Sequence, residues 1–145
     1  MKKKILIIGY SSFVKRRVIK SIRRIKNLEI FICSKSQKID KQKRIFFNDY
    51  SLSLKSQNFD YVYISLINPL HYRYAKIALN YGFNVIVDKP ITTSYAQTNN
   101  LLKLAKKKKL LLCELTIFNY HNIFNKITQL IGGQKKIKLI QANFK

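Results

Sequence analysis

Acidic residues, glycine, proline and cysteine are scarce in this chain, and tryptophan is absent. Its 145 residues include only 6 Asp and Glu, 4 Gly, 2 Pro and 2 Cys. So little glycine, proline and cysteine excludes a collagen-like protein and a disulfide-stapled scaffold. The hydrophobic fraction of 47% is close to the globular average, which argues against intrinsic disorder. The length and composition therefore predict a folded globular domain.

Long apolar runs and metal-ligand spacings are missing as well. No stretch approaches the ~20 apolar residues of a membrane-spanning helix. The Lys2-Lys3-Lys4 run precedes a short apolar segment but lacks the cleavage site of a signal peptide. Cys33 and Cys113 lie far apart in apolar segments, so we predict two buried free thiols and no metal site. These features are typical of a cytoplasmic protein.

The excess of basic residues offers one functional hypothesis. The chain has 29 Lys and Arg and a formal net charge of +23, which suggests a nucleic-acid or other polyanion-binding module. Such a module needs a basic face, whereas these residues are spread along the whole chain. Two denser runs occur, 15–24 and 106–109, and the first alternates with apolar residues at helical spacing, namely Val14, Val18, Ile22 and Ile25. That spacing predicts the solvated outer face of one helix, so polyanion binding is kept as the alternative function and nucleic acid is the less favoured partner.

Apolar runs alternate with segments of helical periodicity along the chain. The predicted strands are 5–8, 28–33, 45–47, 60–66, 83–87, 110–113 and 137–144. The predicted helices are 13–26, 70–81, 94–107 and 122–131, with Ser94 as an N-cap and Gly82 as a helix end. This alternation predicts an α/β fold, a doubly wound parallel sheet of the Rossmann type with right-handed crossovers.

The turn after the first predicted strand has the position of a dinucleotide phosphate loop. It reads Gly9-Tyr10-Ser11-Ser12-Phe13-Val14, so only the first of the three usual glycine positions is glycine. A glycine after a strand can equally form a plain turn. We take Gly9, Ser11, Ser12 and Phe13 as candidate cofactor-binding residues, because a helix N-terminus offers N–H groups to phosphate.

The end of the second predicted strand lacks the acidic residue that usually binds a ribose 2′-hydroxyl. Ser34 and Lys35 stand there instead, and Asp40 is the next acid along the chain. A hydroxyl and a lysine suit a 2′-phosphate better than a carboxylate does. The sequence therefore favours NADP over NAD through Ser34 and Lys35, with a degenerate site as the alternative.

The most specific pattern flanks the helix predicted at 70–81. Asn68-Pro69-Leu70-His71 follows one strand, and Asp88-Lys89-Pro90 closes the next. This resembles the N-terminal half of the Gfo/Idh/MocA oxidoreductase family, the glucose–fructose oxidoreductase and inositol dehydrogenase group. That family carries a Thr-Pro-Asn-x-x-His stretch and a Glu-Lys-Pro motif about this far apart. The resemblance runs from Lys4 to about Phe144.

The resemblance implies an NAD(P)-binding domain of an enzyme that moves a hydride to or from a hydroxyl carbon of a sugar or cyclitol. It implies that Lys89 lies near the nicotinamide and the reacting hydroxyl, where a lysine can hydrogen-bond or move a proton. It also implies that Gly9 and Ser11 face the pyrophosphate. The remaining contacts to the cofactor crevice fall on Leu66, Asn68, Pro69, His71, Asp88 and Pro90.

Structural roles are the alternatives for the same residues. Asp88-Lys89-Pro90 can simply end a strand, because proline cannot continue a central ladder. His71 can cap or pack against the helix that follows it. Sequence reasoning assigns no role to Glu114 or His121, and Asn119 stands where the family often has an arginine.

The family's substrate domain is expected to begin near Gly133. We therefore predict an NAD(P)-binding domain over 1–132 and, over 133–145, a single strand that starts a truncated domain. Hydride transfer needs the cofactor, a substrate pocket and a proton relay together. The chain is accordingly expected to be inactive alone, as a truncated product or as half of a split enzyme. A separate chain or a second copy would then complete it.

Overall fold

In the computed structural model, which describes residues 2–35, 45–116, 122–131, 139 and 141, six parallel strands form one sheet. The strands are β1 (Lys3–Ile8), β2 (Leu28–Cys33), β3 (Ile45–Phe47), β4 (Tyr61–Ile64), β5 (Asn84–Asp88) and β6 (Leu112–Leu115). Their order is β3-β2-β1-β4-β5-β6, which is the doubly wound order of the Rossmann fold. The predicted fold class is confirmed.

The helices follow the strands in the alternating order that the sequence predicts. They are α1 (Ile19–Ile22), α2 (Tyr50–Lys55), α3 (Asn68–Asn80), α4 (Tyr95–Lys108) and α5 (Ile123–Leu130). A π-helical segment, Val14–Val18, runs directly into α1. None of the helices in the described part of the chain is both long and apolar enough to cross a membrane.

Both faces of the sheet are buried, which explains why its central strand is apolar throughout. In β1, Ile5–Ile8 are at most 7% exposed. Leu6 and Ile8 belong to the larger core, together with Ala75 and Leu79 of α3 and Leu101 of α4. Ile5 and Ile7 point to the opposite face, where they share a smaller core with Val14, Ile19 and Tyr63. The period-two alternation of strand side chains thus fills two cores from one strand.

The end of α3 is a glycine stop, as predicted. Gly82 has a φ of 86°, its N–H donates to Leu79 O, and the N–H of Phe83 donates to Ala78 O. This pair of bonds is the Schellman arrangement, in which a left-handed residue closes the helix. Ser94 does occupy the N-cap position of α4, but its side chain makes no capping hydrogen bond.

Several predicted bounds are wrong. The helix predicted at 13–26 ends at Ile22, and Ile25 is 55% exposed, whereas Ile19 is buried. The last strand of this sheet is Leu112–Leu115 rather than 110–113, because residue 109 adopts a left-handed conformation that ends α4 and delays the strand. Helix α2 is absent from the prediction, since its six residues are too few to show a period.

The chain divides into two compact units, Met1–Leu115 and Thr116–Lys145. The first unit contains the whole sheet and α1 to α4. In the second, α5 exposes Ile123, Ile127 and Leu130. The strand predicted at 137–144, Gly133, Asn119 and His121 lie outside the described residues, apart from positions 139 and 141. The predicted division at 132/133 therefore stays a prediction.

Candidate functional site

The carboxyl ends of β1 and β4 form the point where the sheet order reverses, and Gly9 lies there. Gly9 is buried, with a φ of 99° that favours glycine. A methyl group on it would lie 2.0 Å from the carbonyl oxygen of Ser65. Gly9 N–H donates to Cys33 O at 2.9 Å, so the turn is fixed to β2 as well. Two neighbouring strands thus hold the backbone of this turn.

The next residues, Ser11, Ser12 and Phe13, are exposed at the start of the helical segment. The Ser11 hydroxyl accepts a hydrogen bond from Val14 N–H at 3.2 Å, and Ser11 O accepts one from Lys15 N–H at 3.0 Å. Ser11 therefore caps the helical segment, at the position where the usual motif has its second glycine. The outer face of the segment is basic, with Arg16, Arg17 and Lys20 exposed, as the sequence predicts.

The end of β2 combines a buried hydroxyl with an exposed lysine. Ser34 is 3% exposed, and the Lys35 ammonium lies 5.2 Å from the centre of the Tyr50 ring. Asp49, on the neighbouring loop, accepts a hydrogen bond from Leu52 N–H at 2.8 Å. That backbone bond holds the pKa of Asp49 below its usual range, and the charge of Lys35 adds to the effect. The Asp49 carboxylate, which interacts with the charge of Lys35, is thus engaged as the N-cap of α2.

Cys33 precedes these residues and is fully buried. Burial raises the pKa of its thiol to about 11, so the thiolate is not formed near neutral pH. Cys33 and Cys113 are both free, and Cys113 is partly rather than fully buried. In the described part of the chain, no three His, Cys, Asp or Glu side chains are grouped as metal ligands would be.

Asp88 ends β5 with both carboxylate oxygens occupied by hydroxyl donors. Tyr63 Oη donates to Oδ1 at 2.5 Å and Ser65 Oγ donates to Oδ2 at 2.6 Å. Burial and the bond to Asp88 raise the pKa of Tyr63, so its hydroxyl stays protonated and remains a donor. The β4–β5 register pairs Ile64 with Val87, which puts all three side chains on one face of the sheet.

The loop after Asp88 is held by two further side chains. His71 is fully buried, with Nδ1 2.8 Å from Pro90 O and Nε2 2.9 Å from Leu66 O. Glu114 Oε2 accepts a hydrogen bond from Ile91 N–H at 2.7 Å. His71 therefore ties the loop after β4 to the loop after β5, and Glu114 fixes the second loop from β6.

Lys89, in this fixed loop, is exposed, and so are Asn68 and Pro69 in the segment that follows β4. The structure brings most of the predicted residues to the carboxyl edges of β1, β2, β4 and β5: Gly9, Ser11, Ser12, Phe13, Ser34, Lys35, Leu66, Asn68, Pro69, Asp88, Lys89 and Pro90. His71 differs, because its ring is inside the fold. Sequence reasoning missed Tyr63, Ser65 and Glu114. Strand parity alone puts Ser65 and Tyr63 on one face of the sheet, but only the β4–β5 register shows that Asp88 shares that face.

These features fit a dinucleotide. A tight glycine turn leads into a helical segment at the switch point, and an exposed lysine follows β2 in place of an acid. In open parallel sheets, ligands bind in the crevice outside the carboxyl ends at this point. The fold and the site define a Rossmann-type nucleotide-binding domain.

The family follows from comparison with known proteins. The profile of the family described as oxidoreductases with an NAD-binding Rossmann fold, Gfo/Idh/MocA, matches residues 3–115. The chain belongs to this family, and the resemblance read from its two motifs is confirmed.

Curated relatives agree with this assignment. The chain is 32% identical over 97 residues to dTDP-3,4-didehydro-2,6-dideoxy-alpha-D-glucose 3-reductase of Streptomyces violaceoruber, covering 66% of this chain and 28% of the relative. It is 33% identical over 87 residues to D-xylose 1-dehydrogenase (NADP(+)) of Hypocrea jecorina, covering 60% and 22%. The matched segment therefore spans about a quarter of the length of these enzymes.

A solved structure shares the fold. It is a 3-ketoreductase from Actinomadura kijaniata in complex with NADP and TDP-benzene, with a TM-score of 0.82 and 24% identity. The match covers 91% of this chain and 42% of that one.

Proposed function

We propose that this chain is the NADP(H)-binding part of an oxidoreductase that acts on a hydroxyl carbon of a sugar or cyclitol. The observation that carries the proposal is the shared carboxyl edge of the sheet, where the Gly9 turn, Ser34–Lys35 and the Asp88–Pro90 loop follow β1, β2 and β5. The names of the two curated relatives support it, since one is a sugar 3-reductase and the other an NADP(+)-dependent xylose dehydrogenase.

Each part of the edge receives one task. Gly9, Ser11, Ser12 and Phe13 bind the pyrophosphate, while Leu66, Asn68, Pro69, Asp88 and Pro90 line the nicotinamide half. When bound, the cofactor supplies or accepts the hydride. Lys89 donates a hydrogen bond to the reacting oxygen and moves its proton, which is the task of a general acid or base. His71 positions Lys89 indirectly, by holding Pro90 O and Leu66 O in place.

The remaining parts of the proposal concern the rest of the enzyme. Residues 1–132 form the cofactor domain, and 133–145 begin a substrate domain. The free thiols suit a reducing, cytoplasmic setting.

The preference for NADP is tested at Lys35. We expect wild-type protein to bind NADPH more tightly than NADH. Lys35→Ala should weaken NADPH binding about tenfold and change NADH binding less than about twofold, because only NADPH has the 2′-phosphate that a charge-assisted hydrogen bond can reach. Isothermal titration calorimetry with both cofactors measures the two affinities.

Lys55→Ala is the matched control, because Lys55 is exposed at the far end of α2 and its replacement removes the same charge. It should leave the NADPH:NADH affinity ratio unchanged. An equal loss of NADPH affinity in the two variants would attribute the effect to net charge and remove Lys35 from the site.

A further inference from the structure

We propose that Asp88 selects the redox form of the cofactor by favouring oxidised NADP⁺ over NADPH. The inference rests on the proposed function, because it requires a nicotinamide in the crevice. It adds a property that binding of the dinucleotide alone does not imply, namely that one carboxylate changes the relative affinity of the two forms.

The topology places the nicotinamide half beside Asp88. In doubly wound sheets of this strand order, the phosphates of a bound dinucleotide lie at the turn after the first strand, which is here the Gly9 turn, and the adenosine half extends towards the end of the second strand, where this chain has Ser34 and Lys35. The nicotinamide half then extends to the other side of the switch point, over the carboxyl ends of β4 and β5. Asp88 is the last residue of β5.

The hydrogen bonds to Asp88 come from donors that carry no charge. Both of its donors, the Tyr63 and Ser65 hydroxyls, are neutral groups, at 2.5 and 2.6 Å. A hydroxyl orients a carboxylate and satisfies its lone pairs without cancelling its charge. Since Tyr63 lies on β4 and Ser65 directly follows it, the carboxylate is fixed at the edge of two paired strands rather than free to turn away.

A fixed negative charge discriminates between the two forms of the cofactor. The nicotinamide ring carries a positive charge when oxidised and none when reduced, so a carboxylate nearby stabilises the oxidised ring. Lys89 follows Asp88 directly and carries the opposite charge. Removal of Asp88 and removal of Lys89 should therefore move the ratio of NADP⁺ to NADPH affinity in opposite directions.

The test measures NADP⁺ and NADPH binding to the full chain by isothermal titration calorimetry. In Asp88→Asn, NADP⁺ affinity relative to NADPH should fall about fivefold, the size expected for unit charges several ångströms apart near a protein surface. Lys89→Gln should shift the ratio the other way. Because each variant is compared through a ratio, a general loss of folded protein cancels out.

Asp60→Asn is the matched control. Asp60 lies just before β4, at the opposite edge of the sheet, where it pairs with Lys3 at 2.7 Å. The Asp60→Asn substitution removes the same charge from the protein far from the crevice, so its ratio of NADP⁺ to NADPH affinity should equal that of wild type. Asp88→Ser provides a second neutral variant in case the asparagine protein does not fold.

The outcomes separate this inference from the function on which it rests. An unchanged ratio in both neutral variants, with both cofactor forms still bound, would overturn the role of Asp88 and leave the cofactor site standing. A fivefold shift in Asp60→Asn as well would assign the effect to net charge and overturn the role equally. If wild-type protein binds neither form, the proposed function fails, and the role of Asp88 with it.

Discussion

Gly9→Ala should remove at least about 3 kcal/mol from the free energy of unfolding and abolish NADPH binding. The new methyl group would lie 2.0 Å from Ser65 O and 2.7 Å from Ser65 C. Ser65 cannot retreat easily, because its N–H donates to Ile8 O at 2.8 Å and its hydroxyl donates to Asp88. Urea denaturation followed by circular dichroism measures the loss, and calorimetry measures the binding.

Gly82→Ala separates steric overlap from backbone strain. Gly82 also has a positive φ, 86°, but no atom lies within 4 Å of a methyl group placed there. The variant should cost only about 1 kcal/mol and retain NADPH binding. If Gly9→Ala is no worse than Gly82→Ala, then the close approach of β1 to Ser65 is not what fixes the crevice.

His71→Leu should cost about 3 kcal/mol and weaken NADPH binding more than about tenfold, even in protein that remains folded. Leucine fills most of the space but removes both ring nitrogens that contact Pro90 O and Leu66 O, including the N–H donor, and a buried carbonyl left unsatisfied is costly. The two loops that face the crevice then lose their connection. Thermal and urea unfolding give the stability, and titration below the transition gives the affinity.

Leu79→Ala is the control for His71→Leu. Leu79 is fully buried in the same helix but packs in the larger core and holds neither of the two loops. Its loss should destabilise the domain by a similar amount, about 2–5 kcal/mol. NADPH affinity of the folded protein should stay unchanged. A similar loss of affinity in both variants would show that helix stability, and not the His71 bridge, governs binding.

The sequence predicts the sheet well because its strands are buried on both faces. Ile5–Ile8 and the apolar strand around Val62 are recognisable runs, and the glycine at 82 marks a helix end with a clear physical cause. Helix α2 could not be predicted, because six residues give no measurable period. The end of α1 at Ile22 was also not predicted, because Ile25 continues the apolar spacing although the helix has already ended.

The candidate site was only partly predictable. Gly9, Asn68 and Asp88-Lys89-Pro90 carry motif information, so their position at one edge could be expected. The partners of these residues come from other strands: Tyr63 from β4 and Glu114 from β6. Such contacts depend on register, which one sequence does not specify. His71 showed the converse, as its motif position suggested a cofactor contact while its ring lies inside the fold.

The central claim, that the carboxyl edge of this sheet binds NADP(H), is tested most directly by nuclear magnetic resonance. NADPH should shift the backbone amides of ¹⁵N-labelled protein saturably at 9–13, Lys35, Asn68, Asp88, Lys89 and Ile91. Amides at the opposite edge, such as Asp60 and Lys108, should not move. Saturable binding confined to this edge is the predicted result. No saturable shift with millimolar NADPH or NADH, or shifts only along the basic outer face at 16–20, would contradict the account.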